Sequence, residues 1–413
     1  MAQTIFYVIV GILIFDYLLD RFLDYLNSTY YSSELPEELK GIYDEEKYRK
    51  AQEYEKTTTR FSTVTSTFNL LLMLVMLFSG GFAYIDDFVR QYTQNPILMA
   101  LMFFGIIGLG ADILSTPFSL YSTFVIEEKF GFNKTNLKTF ILDKLKGWLL
   151  AAIIGGGLLA AIVWIYESTG EWFWVIAWAV ISLFTIVMTM FYSDIIVPLF
   201  NKQTPLEEGE LRKAIEDFAG KVGFQVKNIY VMDGSKRSTK ANAYFSGLGA
   251  KKRIVLFDTL IKDNTTEELV AVLAHEIGHY KKKHTTVGMF ISIAQTGLMM
   301  YIMSLFIGNP VLSEALGADR GSFHMGILAF GLLYSPLSTI LSLIMNYVSR
   351  KNEYAADRFA GENYKPKALM DALKKLSVNH LSNLRPHPAY VFFYYSHPTL
   401  LQRLKALALI VNK

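Results

Sequence analysis

The stretch "LVAVLAHEIGHYKKKH", from Leu269 to His284, decides how the chain is understood, because a histidine pair here is followed at once by an apolar segment. His275 and His279 are four residues apart, and side chains at that spacing lie on one face of an α-helix. Their rings can therefore converge on one metal ion. Glu276, about 100° further round the helix, can reach a water there without being a ligand. The stretch predicts a metal-dependent hydrolytic site, although short H-E-x-x-H strings also occur by chance.

The composition places this stretch in a membrane protein. Of 413 residues, 52% are hydrophobic and 19% are charged, which is more apolar than ordinary soluble domains. A helix needs roughly 20 apolar residues to cross a bilayer core. Seven runs meet that requirement: residues 5–26, 63–84, 96–121, 148–166, 172–191, 286–306 and 324–347. The first run has no basic start and no small-residue cleavage site, so it is predicted to be a retained anchor.

The distribution of Lys and Arg orients these runs. Both residues are concentrated in the first and third connections and are nearly absent from the second, fourth and sixth. Because cytoplasmic connections carry the Lys and Arg excess, we predict an extracytoplasmic N-terminus and a cytosolic C-terminus. The predicted organisation is listed in chain order: residues 1–194 with spans one to five, residues 195–284 as a cytosolic segment with the H-E-x-x-H helix, residues 285–347 with spans six and seven, and residues 348–413 as a cytosolic C-terminal segment with the third ligand.

The fifth connection has its own strand signals. The β-branched, apolar stretches "VKNIYVMD" (226–233) and "KRIVLFDTL" (252–260) predict two strands. The glycine-rich "NAYFSGLGAKK" (242–252) between them predicts a hairpin-like or edge connection. The fold class is therefore predicted to be mainly α and polytopic, with a small α+β cytosolic domain.

Helix signals accompany these strands. "TPLEEGELRKAIEDFAGKVGF" predicts a helix with Thr204 as its N-cap and Pro205 in the first turn. A second helix, from about Thr266, carries the histidine pair. Gly278 lowers the helix propensity of that second helix, which predicts that a strand or a substrate passes close to it.

A third ligand has to come from His, Asp or Glu, since the chain contains no cysteine. Glu353, in "NEYAAD", follows the seventh span on the side of the membrane where His275 is predicted to lie. It is the best candidate, with a solvated, salt-bridged helix start as the alternative. Asp357 lies one turn after Glu353 and is expected to orient a ligating imidazole.

Four other histidines are not expected to supply the third ligand. We predict that His284 is an interfacial residue at the membrane surface. His324 is predicted to lie on the extracytoplasmic side, and His380 and His387 to be solvated.

These motifs resemble a known family. "HEIGH" together with "NEYAAD" resembles the pattern of the M48 zinc metalloproteases, and "SDIIVPLFNKQTPLEEGELR", "NAYFSG" and "SHPTLLQRL" are similar to the Ste24 type, the type I CAAX prenyl endopeptidases. The resemblance implies seven transmembrane helices enclosing a large hydrophilic chamber, with one Zn²⁺ per chain held by His275, His279 and Glu353. It also implies that Glu276 is the general base, then the general acid.

Further roles follow only from the resemblance. It implies that Asn242 and Arg403 bind the substrate and that His397 stabilises the tetrahedral oxyanion. The implied substrate is a prenylated CAAX peptide or protein, cut to release its last three residues, and a single chain is expected to suffice.

The sequence says less about binding partners and about the membrane in which the protein lies. A net charge of +3 and the lack of a basic patch argue against nucleic acid, so the expected partners are the substrate and the lipid bilayer. The location is either a bacterial inner membrane or the endoplasmic-reticulum membrane. The lack of cysteine and the tail "LIVNK", which has no dilysine signal, favour the former.

Two other functions remain open from the sequence. One is a bacterial quality-control zinc protease that needs no prenyl group. The other is a non-enzymatic transporter or scaffold, in which Asp112 and Asp194 would mark a pathway; in a protease we expect them to line the chamber.

Overall fold

The computed structural model describes residues 1–32, 34–224, 228–247 and 252–411, and its N-terminal half is helical. The helices of this half are α1 (Ala2–Ser28), α2 (Glu45–Phe78), α3 (Gly81–Arg90), α4 (Pro96–Tyr121), α5 (Glu128–Phe130), α6 (Leu137–Leu150), α7 (Gly156–Thr169), α8 (Phe173–Ile195) and α9 (Val197–Phe200). Single π-helical turns, Ser122–Glu127 and Ala151–Gly155, lie directly before α5 and α7.

The C-terminal half mixes a small sheet with helices. Its strands are β1 (Gln203–Pro205), β2 (Ile229–Met232), β3 (Ala243–Ser246) and β4 (Arg253–Phe257). Its helices are α10 (Glu210–Lys221), α11 (Asp258–Asp263), α12 (Thr266–Lys281), α13 (His284–Ser304), α14 (Val311–Ala315), α15 (Phe323–Asn363), α16 (Pro366–Asn379), α17 (Pro388–Tyr394) and α18 (Leu400–Val411).

The described chain has six helical segments that are long and apolar enough to cross a membrane. One of them, Leu137–Phe200, has 64 residues, which would be about 96 Å long if straight, three times the bilayer core. It turns at Gly170, whose φ is 54°, and α7 packs back against α8. This segment therefore supplies two crossings. The prediction of a mainly helical polytopic membrane protein is confirmed, and the number of apolar helices agrees with seven spans.

Polar side chains lie in open space between two of these helices. Between α1 and α15 is a cavity of about 440 Å³, and Asp16, Asp20 and Ser335 are among the residues that line it. These side chains make part of the interior between the helices hydrophilic.

One predicted span is broken. The run 63–84 was expected to be continuous, but α2 begins much earlier, at Glu45, and ends at Phe78. Gly80 adopts a left-handed conformation with φ 68°, which a residue without Cβ tolerates. The chain turns there into the short helix α3.

The sheet has the strand order β1-β2-β4-β3. β2 and β4 are parallel, β1 is antiparallel to β2, and β3 is antiparallel to β4. The prediction of two strands with an edge connection is therefore right in outline, since part of "NAYFSG" forms the edge strand β3. Residues 226–227 and 248–251 of the predicted elements lie outside the described residues.

The predicted start of α10 is wrong. Thr204 and Pro205 do not cap the helix; they lie in β1, opposite Val231 and Tyr230 of β2. The helix begins at Glu210, after Gly209. Strand pairing overrides the local capping signal, and the edge position of β1 tolerates a proline, which cannot donate a ladder hydrogen bond.

A single hydrophobic core joins the described residues of 195–284 to those of 348–411. Buried side chains from α10, β2, β4 and α12 pack with others from the end of α15, from α16 and from α18. Residues 195–284 and 348–411 therefore form one folded unit, although two apolar helices separate them in the chain.

Candidate metal centre

Helix α12 is fixed at its start by a capping box. The Thr265 side chain accepts a hydrogen bond from the Glu268 backbone N–H at 3.3 Å, and the Glu268 carboxylate accepts one from the Thr265 N–H at 2.8 Å. Lys375 of α16 donates to the same carboxylate at 2.7 Å. Nearly every side chain from Glu268 to Gly278 is buried. The orientation of the histidine pair is thus set by packing on all sides.

The second element of the site is the long helix α15. It continues without interruption from an apolar segment to Asn363 and carries Glu353 and Asp357 against α12. The two helices approach closely at Gly278, where an added Cβ would lie 3.2 Å from the Ala356 Cα. The residue that passes close to Gly278 therefore belongs to α15, and not to a strand or a substrate as expected.

Three side chains converge on one point. His275, His279 and Glu353 each offer a ligand atom, and these atoms all lie within 4.8 Å of one another. The two Nε2 atoms are 3.1 Å apart, His279 Nε2 is 3.1 Å from Glu353 Oε1, and His275 Nε2 is 3.4 Å from Glu353 Oε2.

These separations fit a zinc ion. Tetrahedral zinc with bonds of about 2.0–2.1 Å places its ligand atoms about 3.3 Å apart. The buried carboxylate of Glu353 faces both imidazoles, with its two oxygens 3.1 and 3.4 Å from their Nε2 atoms, and a buried carboxylate of this kind is suited to coordinate a cation. The donor set of two imidazoles and one carboxylate is also one that zinc accepts in catalytic sites.

Asp357 and Arg403 support the first histidine. Asp357 Oδ1 lies 2.9 Å from His275 Nδ1. Arg403, on α18, donates to both oxygens of Asp357 at 2.8 and 2.6 Å and is 11% exposed. Burial disfavours the charged ring of His275, but the hydrogen bonds to Asp357 and Glu353 outweigh burial and raise its pKa to about 9.

The ligands open into a cavity of about 670 Å³. Glu276, Asn242, His397 and Arg403 all line it. Burial raises the pKa of the Glu276 carboxyl, and the nearby His275 and His279 only partly oppose this effect. A carboxylate with a raised pKa is a better proton acceptor than an ordinary one.

The other predicted substrate contacts lie around this cavity. His397 Nε2 is 3.4 Å from Glu353 Oε1, and 62% of the His397 side chain is exposed. Asn242 directly precedes the edge strand β3, and its side-chain oxygen accepts a hydrogen bond from the Ala243 N–H at 2.9 Å. Arg403 reaches the cavity as well, but its guanidinium is held by Asp357, a contact that the sequence did not predict.

Two of the remaining histidines have contacts at the site that the sequence did not predict. His284 lies against the site, with its Nδ1 3.1 Å from His279 Nδ1. His380 is half-buried in the wall of the cavity and accepts a hydrogen bond from the Ala241 N–H at 3.0 Å. Helical periodicity could not find either contact, because His284 follows a chain reversal and His380 follows α16.

Two other histidines lie outside the site. His324, at the start of α15, is buried with its Nε2 2.6 Å from Asp86 Oδ1. It is separated from Glu353 by about 44 Å of helix, so it lies far from the metal cluster. His387 is half-buried, and its ring accepts a hydrogen bond from the Ala389 N–H at 3.1 Å at the start of α17.

The two acids expected in the chamber are both paired. Asp112 accepts hydrogen bonds from Lys144 at 2.7 Å and from the Trp148 indole at 2.9 Å. Asp194 forms an ion pair with Arg253 of β4. Partners of opposite charge reduce the cost of these carboxylates near apolar helices.

Comparison with known families matches both halves of the chain. Residues 26–202 match the family described as CAAX prenyl protease N-terminal, five membrane helices. Residues 205–411 match peptidase family M48. The boundary between the two matches coincides with the start of the sheet.

Similar proteins match along almost the whole chain. A CAAX prenyl protease 1 homolog of Arabidopsis thaliana is 36% identical over 417 residues, covering 98% of this chain and 98% of that protein. CAAX prenyl protease 1 of Saccharomyces cerevisiae is 35% identical, covering 92% and 90%. The crystal structure of S. mikatae Ste24p matches with a TM-score of 0.93 and 34% identity, covering 98% of this chain and 99% of that one.

Proposed function

Because the chain belongs to peptidase family M48 and to its CAAX prenyl proteases, we propose that it is an integral-membrane zinc endopeptidase that releases the C-terminal AAX tripeptide from prenylated CAAX proteins or peptides. The observation that carries this proposal is the cluster of His275, His279 and Glu353 beside Glu276, in a cavity wide enough for a peptide.

His275, His279 and Glu353 would hold the metal, one ion per chain, and the separations of their ligand atoms support zinc. When bound, zinc supplies a Lewis acid that polarises the scissile carbonyl and lowers the pKa of water. Asp357 holds the His275 ring through Nδ1, which leaves Nε2 free to act as a ligand. Arg403 fixes Asp357 in turn.

Glu276 is the residue that would transfer the proton. Its raised pKa suits it to accept a proton from the attacking water and to deliver that proton to the leaving amine. His397, exposed to the cavity beside Glu353, is suited to donate a hydrogen bond to the oxyanion that develops on the substrate carbonyl.

The substrate peptide would lie along β3. This strand is paired with β4 on one side only, so its outer edge offers backbone groups to an extended chain. Ala243 and Phe245 of β3 line the cavity that contains the ligands. Asn242, at the start of the strand, is placed to hold the substrate backbone near the cleaved bond, and Arg403 to contact it at the far wall.

The position of the site suits a substrate that carries a lipid. The apolar helices α13 and α15 lead directly into the site, so a prenyl group can stay near hydrocarbon while its peptide reaches the metal. We propose that the site faces the cytosol of a bacterial or endoplasmic-reticulum membrane, that residues 195–284 and 348–413 are the cytosolic segments, and that one chain suffices.

The test is mass spectrometry of a farnesylated CAAX peptide incubated with the purified protein in detergent, beside its unprenylated twin. The proposal predicts release of the terminal tripeptide from the farnesylated peptide with a clear preference over the twin. Equal cleavage of both would favour a protease without prenyl specificity. Cleavage of neither, by protein that contains one zinc per chain, would contradict the assigned substrate.

A further inference from the structure

The two histidines of the cluster differ in what contacts their second ring nitrogen. A ligating histidine almost always donates its other N–H to a carboxylate, a carbonyl or water, which fixes the tautomer and the ring orientation. His275 has such a partner in Asp357, at 2.9 Å. At His279 Nδ1, the partner within the described chain is another imidazole, Nδ1 of His284, at 3.1 Å.

The backbone is bent to bring His284 there. α12 ends at Lys281 and α13 begins at His284, so the two helices are joined by two residues. Lys283 takes a left-handed conformation, with φ 59° and ψ 25°, which side-chain-bearing residues rarely adopt. This single reversal turns the first residue of α13 back over the last turn of α12. The rings of His279 and His284 then meet edge to face, with centroids 5.1 Å apart and an interplanar angle of 75°.

We propose that His284 is a positioning residue for the metal site, and this inference rests on the proposed metal role of His279. Since Nε2 of His279 has to present a lone pair to the metal, its proton is on Nδ1. That N–H donates to Nδ1 of His284, which therefore carries its own proton on Nε2. The neutral His284 ring fixes the tautomer of His279 without adding a negative charge.

His284 is not itself a ligand in this arrangement. Its Nδ1 faces the Nδ1 side of His279, away from the Nε2 atoms that converge with Glu353. Among the described residues, the group of ligand atoms within 4.8 Å of one another consists of His275, His279 and Glu353. His284 acts through His279, as Asp357 acts through His275.

The neutral partner has a chemical consequence. A carboxylate beside an imidazole makes the ring a stronger electron donor, which tightens metal binding but weakens the metal as a Lewis acid. One carboxylate partner and one neutral partner therefore hold the ion while keeping its electron-withdrawing power. An aspartate or glutamate at position 284 would tighten metal binding and weaken the metal as a Lewis acid.

The test compares two substitutions of similar size in the full-length protein. Asn at position 284 places an amide oxygen near the position of Nδ1 and keeps the acceptor, whereas Leu removes it. The zinc dissociation constant is measured by competition with a chromophoric chelator, and the Co²⁺ absorption spectrum reports the coordination geometry. We expect His284→Leu to weaken zinc binding by about 10- to 100-fold and to alter the Co²⁺ spectrum, and His284→Asn to stay close to the wild type in both.

Two controls separate positioning from packing. His387→Leu removes a half-buried histidine that does not line the cavity of the metal cluster, and this variant is expected to leave zinc affinity unchanged. Lys283→Gly keeps the left-handed turn without its strain and is expected to retain zinc affinity. Thermal unfolding with chelator present shows whether each variant is folded.

Clear results would overturn the proposal. Equal zinc affinity of His284→Leu and the wild type, or equal impairment of the Asn and Leu variants, would contradict a hydrogen-bonding role. If the wild type itself bound no zinc, the proposed function would fail first, so the two failures are distinguishable.

Discussion

Gly278→Ala tests whether the packing of α12 on α15 sets the geometry of the metal site. Gly278 directly precedes His279, at a close approach of the two helices. A Cβ added there would lie 3.1 Å from Phe359 Cδ1 and 3.2 Å from both the Cα and the backbone oxygen of Ala356. Ordinary carbon contacts are about 3.5–4.0 Å. The Phe359 ring can rotate away, but the Ala356 backbone cannot, so α15 has to move by about 0.3 Å.

The free energy of unfolding is expected to change little or to fall. Alanine raises helix propensity by about 1 kcal/mol over glycine, while overpacking costs about 1–3 kcal/mol. The net effect on stability therefore lies between zero and a loss of about 2 kcal/mol.

The effect on the metal is expected to be larger. Ala356 lies between Glu353 and Asp357, so a shift of α15 displaces both carboxylates relative to the histidine pair. Metal sites tolerate errors of only about 0.2 Å in ligand distance. We therefore expect zinc affinity to fall about tenfold or more, equivalent to about 1.4 kcal/mol.

The assay is a zinc competition titration, paired with thermal unfolding in the presence of chelator. Gly220→Ala in α10 is the matched control, since an added Cβ there meets no atom within 4 Å. It is expected to be neutral or slightly stabilising and to leave zinc affinity unchanged. Wild-type zinc affinity in Gly278→Ala would refute the claim that this helix contact positions Glu353.

Three further predictions concern the ligands. Asp357→Asn is expected to weaken zinc binding by about 10- to 100-fold, because His275 loses its charged partner. The same chelator competition measures the zinc dissociation constant of this variant. An unchanged affinity would argue against the role of Asp357. Zinc affinity is expected to fall about tenfold for each pH unit below about pH 9. The pKa of His275 is raised to about 9, and the metal has to displace the proton from this ring in order to bind. Zinc titrations at about pH 6, 7 and 8 would detect the fall, and an affinity that does not change with pH would contradict it. Removal of the metal by a chelator should abolish hydrolysis while the far-ultraviolet circular dichroism spectrum stays unchanged, because the helical spans do not depend on the ion. Zinc added back should restore activity. A loss of helical signal on chelation would show instead that the metal holds the fold together.

Local patterns predicted the features that depend on nearby residues. The long apolar runs produced helices, except that the run 63–84 is broken at Gly80. The four-residue spacing placed His275 and His279 on one face. Glu353 was found because α15 is one continuous helix, so topology alone brought it to the side of the histidine pair. The start of the second helix near Thr266 was also predicted, and α12 begins at that residue.

Features that depend on distant contacts were missed. Thr204 and Pro205 look like a helix start until β1 pairs with β2. The glycine at 278 indicates a close approach, but the sequence does not say which element approaches. His284 contacts His279 because Lys283 adopts a left-handed conformation, which nothing in "KKKH" predicts. In each case a tertiary contact overrides a local preference.

The most direct test of the account is the hydrolysis rate of Glu276→Gln on a farnesylated CAAX peptide, with zinc measured in the same sample. Glutamine keeps the size of the side chain but cannot accept the proton of the attacking water. The account predicts one zinc per chain in both proteins and a loss of tripeptide release of about 10²-fold or more in the variant. A fully metallated variant that cleaves at the wild-type rate would contradict Glu276 as the base.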